Sequence, residues 1–132
     1  MTRNITSGEF ANCITTRLLM DKLPHGAIRE EFRYEEILSN AIFAANEILR
    51  ELECEELWVR KRGNRAYVMY NAYHRILCEL GVVADKQPNG MYRRPRIVLV
   101  NLRGIIPDEQ DIQTLMDAVA SRGVRKVRRY VK

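Results

Sequence analysis

A single apolar stripe in the first half of the chain sets the terms for its fold. Ile37, Leu38, Ala41, Ile42, Ala45, Ile48, Leu49 and Leu52 recur at the i, i+4, i+7 and i+8 spacing of one helical face. Glu35, Glu36, Glu47, Arg50 and Glu51 populate the opposite side. The pattern predicts a helix over about residues 33–54, buried along the stripe and solvated along an acidic outer face. Such a face is a poor surface to lay on nucleic acid.

The remaining elements follow from period and punctuation. Thr6 and Glu9 have capping-box spacing, and Phe10, Ile14 and Leu18 recur every four residues. They predict a first helix over about 7–22, ended by Pro24-His25-Gly26. Val68, Met69, Ala72, Tyr73, Ile76, Leu77 and Leu80 keep a helical period between Gly63 and Gly81, so a third helix is expected over about 65–80. A hairpin through Gly63-Asn64, pairing Trp58 to Arg62 with Arg65 to Tyr70, is the competing reading of the same residues. Val82-Val83-Ala84 then reads as a short strand, Lys86 to Gly90 as a turn, and Met91 to Val100 as a return strand. Asp108 opens a fourth helix carried by Ile112, Leu115, Met116 and Val119, and Gly123 ends it. Val124 to Lys132 forms a basic strand or arm. The expected architecture is α+β, mostly helical, with a β-hairpin wing, in one domain spanning 1–132.

Charge gives the first indication of function. The formal net charge is +5 and the isoelectric point is near 9.3. Residues 1–57 hold 6 basic and 11 acidic side chains, whereas residues 58–132 hold 16 basic and 6 acidic. The cationic half is therefore the C-terminal one. Its bases are mostly arginine, 17 against 5 lysines in the whole chain, and the planar guanidinium grips phosphate or carboxylate at two points.

The segment from Ile76 to Val100 resembles the recognition-helix end and wing of winged-helix DNA-binding proteins, including MarR-type regulators. Leu77, Leu80, Gly81 and Val82 occupy the helix-to-strand step, Asn89-Gly90 with Arg93 and Arg94 the wing, and Ile97 to Leu99 the return strand. Pro95 in that strand fits only an edge position. About ten residues separate the second and third helices, which implies an inserted strand near Trp58 to Lys61 or a different element order. The resemblance implies a winged-helix-like fold that reads duplex DNA. Arg65, Tyr67, Tyr70, Asn71, His74 and Arg75 would then lie on the reading helix, and Arg93, Arg94 and Arg96 on or beside the wing. Two further basic clusters stand apart from that motif. Arg60, Lys61, Arg62 and Arg65 adjoin Trp58, which either packs in the core or stacks on a base. Arg122, Arg125, Lys126, Arg128, Arg129 and Lys132 surround Tyr130 in the tail, which either tracks phosphates or forms an exposed edge strand.

Signatures of enzymes are weak. The chain contains no Walker-type loop, no HExxH and no GxSxG. His74 and Cys78 stand four apart, but a closed zinc site needs four ligands. No cofactor or metal is expected. Three cysteines without a CxxC pair, no apolar run long enough to span a membrane and no signal-peptide layout point to a reducing, cytoplasmic setting. The expected function is non-enzymatic nucleic-acid binding, as a sequence-specific DNA-binding transcriptional regulator, with a homodimer through the first and fourth helices as an option. The alternatives are a basic protein that inhibits an acidic protein partner, or an RNA-binding protein or ribonuclease that uses His25 or His74.

Overall fold

The computed structural model of the chain describes residues 7–20, 30–70 and 75–100. The elements in order are α1 (Ser7–Leu19), β1 (Glu31–Phe32), α2 (Tyr34–Glu51), β2 (Leu57–Arg62), β3 (Arg65–Tyr70), β4 (Arg75–Lys86) and β5 (Tyr92–Val100). The strands make one antiparallel sheet in the order β1-β5-β4-β3-β2, curled into a half-barrel. Both helices pack on its inner face and against each other, α1 over β5 and α2 over β2. Phe10, Ile14 and Leu18 of α1 and Ile37, Ala41, Ala45 and Leu49 of α2 meet Leu57, Val59, Ala66, Val68, Cys78, Leu80, Ile97 and Leu99 of the sheet.

The first and second helices lie where the periodicity places them. The third does not exist as a helix, and the mostly helical, winged-helix-like architecture falls with it. Residues 65–70 form β3 and residues 75–80 belong to β4, and strand outweighs helix among the described residues. The competing hairpin is the one formed: Leu57 pairs with Tyr70, Val59 with Val68, and Arg62 with Arg65. Gly63 takes a φ of 62° while Asn64 stays negative, the pattern of a glycine-first type II′ turn. Asn64 therefore completes a tight turn.

Two features made these strands resemble a helix. Val68 pairs with Cys78 and Met69 with Ile76, so Leu77 is an extra residue in β4. That bulge puts adjacent Leu77 and Cys78 both in the core and breaks the period of two. Met69 faces away from the helices yet is buried too, so both faces of β3 carry apolar side chains at that point.

The predicted wing hairpin is present and longer than expected, since β4 is continuous from Arg75 to Lys86. Its loop is a three-residue connection. Gly90 N–H donates to Gln87 O, Gln87 N–H donates to Met91 O, and Gly90 adopts a φ of 83°. Pro95 is accommodated by a bulge, because Val83 pairs with Arg96 and Asp85 with Arg93, leaving Arg94-Pro95 opposite Ala84. Arg94 absorbs the bend at a φ of 52°.

Helix side chains satisfy backbone groups at one position on each side of the sheet. β2 is an edge strand, and Val59 directs its backbone groups outward to Asn46 of α2. Asn46 Nδ2 donates to Val59 O at 3.0 Å, and Val59 N–H donates to Asn46 Oδ1 at 2.8 Å. One amide side chain thus replaces a neighbouring strand. On the other side β1 covers only Tyr92 and Arg93 of β5. Beyond it, Ile97 N–H donates to Thr15 Oγ1 of α1 at 3.0 Å. Unpaired edge groups invite association with other strands, and these contacts remove two such positions.

The helices carry their own terminal devices. Glu36 reaches back to accept from Arg33 N–H at the start of α2. At its end Cys54 N–H donates to Leu49 O and Glu53 N–H to Arg50 O, a Schellman closure with Glu53 at a φ of 58°. Arg17 clamps α1 to α2 through two hydrogen bonds to the Glu51 carboxylate, at 2.9 and 2.6 Å. The Arg17 hydrogen bond holds the exposed Glu51 carboxyl below its ordinary range. The contribution of this clamp is present above the carboxylate range and is lost as pH falls through the lowered value.

The three cysteines divide by burial. Cys13 is exposed on α1, whereas Cys54 and Cys78 are buried. Burial first, and then the Glu56 carboxylate, pushes the Cys54 thiol up to about 12, and burial alone does the same to Cys78. A thiol-alkylating reagent at mildly alkaline pH is expected to modify Cys13 quickly and the other two only when the protein opens. Fast modification of all three in native protein would contradict this packing. The predicted fourth helix and the basic tail lie outside the described residues.

Candidate nucleic-acid interface

The sheet has two faces, and alternation sorts the candidate residues between them. The inner face carries the core. The outer face of β2 and β3 presents Trp58, Arg60 and Arg62 on one strand and Arg65, Tyr67 and Met69 on the next. Cross-strand neighbours are Trp58 with Met69, Arg60 with Tyr67, and Arg62 with Arg65. Trp58 and Tyr67 are therefore diagonal neighbours, about 6–8 Å apart by the usual spacing of such pairs. Trp58 is not a core residue: it is 38% exposed and sits on the edge strand.

The bases near the tip of this hairpin differ in their carboxylate contacts. Arg60, Lys61 and Arg62 are exposed, and among the described residues none has an acidic partner. Arg65 lies 3.9 Å from Glu79, its one carboxylate neighbour on this face. Lys61 pairs with core-facing Ala66 and so leaves from the helix side of the hairpin.

The wing arginines separate into two kinds. Arg94 donates from Nε to Asp85 Oδ2 at 2.8 Å, with its second nitrogen at 2.6 Å from the same oxygen. Arg93 lies 3.7 Å from Glu30. Both already face a carboxylate. Arg96 has no acidic partner among the described residues and pairs with Val83 on the outer face. Ala66 pairs with Leu80, so Gly81 continues beside Arg65, and Val83 and Arg96 lie two residues further on. Strand geometry then puts the Arg65 and Arg96 backbones about 12 Å apart, so Arg96 joins the hairpin cluster.

Other candidates fall elsewhere. Tyr70 packs against the core from the inner face. Arg75 is exposed opposite Tyr70, at the end of β3 away from the Gly63-Asn64 turn. It stands about 17 Å along the strand from Arg65. Arg65, Tyr70 and Arg75 share no helical face, because they belong to two strands. Cys78 lies on β4. Asn71, His74, Arg125, Lys126, Arg128 and Arg129 lie outside the described residues. Among the described residues no three His, Cys, Asp or Glu side chains are placed to hold a metal ion, and no helix is long and apolar enough to cross a membrane.

In comparisons with known proteins, no family model, no curated protein and no solved structure matches the chain. The functional reading therefore rests on the side chains of the outer face. A row of guanidinium groups that meets one carboxylate, Glu79, among the described residues, beside two partly exposed rings, suits a polyanion that also offers flat faces to stack on. The charge was visible in the sequence. The shared face of Trp58, Tyr67 and the arginines was not, because it requires residues 65–70 to be a strand.

Proposed function

We propose that this protein binds nucleic acid without acting on it chemically, through the outer face of β2 and β3. The observation that carries the reading is the set Arg60, Arg62, Arg65 and Arg96 on one face, with a single carboxylate, Glu79, among them within the described residues. Phosphate groups neutralised by such a set release counterions, and binding must weaken steeply with salt. The wing supports the reading less, since Arg93 and Arg94 would have to leave Glu30 and Asp85 before meeting phosphate. A regulator that reads bases with a helix over 65–80 is no longer part of this proposal, because that segment is a hairpin.

The test is retention on immobilised nucleic acid, single-stranded and duplex, across a salt series. Log affinity is expected to fall linearly with log salt, with a slope of about −0.7 to −0.9 for each phosphate contacted. Absence of binding to either form at low salt sinks the proposal. An acidic protein retained after nuclease treatment would put the alternative partner class in its place.

A further inference from the structure

Resting on that reading, we infer that the occupant of the outer face is single-stranded nucleic acid, with one base stacked on Trp58, its neighbour on Tyr67, and the backbone held by Arg60 and Arg62. Three observations favour a single strand over a duplex. First, the Trp58 indole is partly exposed on an edge strand, and stacking on such a ring needs a base that is itself unstacked. Second, Arg60 lies on β2 two residues from Trp58 and directly opposite Tyr67, so a cation accompanies both rings. Third, the β2–β3 hairpin does not project as a free ribbon. Ala66, next to its tip, pairs with Leu80, and β4 continues six residues beyond that point. A ribbon flanked in this way cannot enter a major groove about 12 Å wide. The hairpin that does project, β4–β5, carries the arginines already paired with carboxylates.

Trp58 is the sole tryptophan of the chain, so its emission reports this face alone. The experiment titrates the intact protein at low salt with oligothymidylate, with a duplex of equal length and with polyglutamate. Oligothymidylate is expected to quench Trp58 emission and to bind more tightly than the duplex. Trp58→Ala should weaken oligothymidylate roughly 5- to 100-fold, and Trp58→Phe, which keeps a ring, should lose less. The quenching is read on unaltered protein, so an unstable variant does not remove the test. Oligothymidylate bound with unchanged emission, or a duplex bound as tightly, overturns the single-strand inference while nucleic-acid binding stands. Failure of both nucleic acids, with or without capture of polyglutamate, overturns both.

Discussion

Asn46→Ala is expected to destabilise the fold by about 2–5 kcal/mol, a large part of the 5–15 kcal/mol that holds a typical domain together. Asn46 is 8% exposed and makes both edge hydrogen bonds to Val59. Alanine removes the two bonds and leaves a buried N–H and a buried C=O without partners. Each orphaned group costs about 1–3 kcal/mol. The denaturant midpoint should fall with little change in its slope. A loss below about 0.5 kcal/mol would show that water reaches the β2 edge, since replacing a solvated bond is nearly neutral.

Asn46→Asp sharpens that test. A protonated aspartic acid can donate to Val59 O and accept from Val59 N–H, as the amide does. The carboxylate can only accept, and it carries charge into a buried site, so its folded-state pKa should rise above the unfolded value. The variant should approach native stability below the unfolded pKa and lose that stability as pH rises through the folded one. Insensitivity to pH across the acid range would count against the edge-closing geometry.

How far the sequence could lead is decided by which signals are local. The stripe from Ile37 to Leu52 and the turn chemistry around Asn89-Gly90 act within a few residues, and α2 and the β4–β5 hairpin were legible for that reason. Residues 65–80 were misread because the Leu77 bulge and buried Met69 imitate a helical period. The glycine-first turn at Gly63-Asn64 was the better guide, since turn geometry fixes register whereas apolar spacing alone is ambiguous over short runs. The Asn46 contact joins residues 13 apart through packing, and its only sequence trace is an amide among Ala44, Ala45, Ile48 and Leu49. The basic clusters were legible as charge. Which of them stay free was not, because Glu30 and Asp85 reach Arg93 and Arg94 only once the sheet has formed.

That last distinction gives the second large effect. Replacing Arg60, Arg62 and Arg65 together by alanine is expected to weaken nucleic-acid binding about 25- to 100-fold near 0.1 M salt, since each lost phosphate contact is worth about fivefold there through counterion release and Arg65 already lies near Glu79. The salt slope should shrink by about 0.7 per contact on a single strand. Arg93→Ala with Arg94→Ala should change affinity by less than about threefold, because any phosphate contact those side chains make must replace an existing pairing with carboxylate. The three hairpin residues are exposed and outside the core, so the melting temperature should move little, which separates lost contact from lost fold. If the wing pair costs more affinity than the hairpin triple, the binding surface belongs at the β4–β5 tip, and the outer face of β2 and β3 is not the interface.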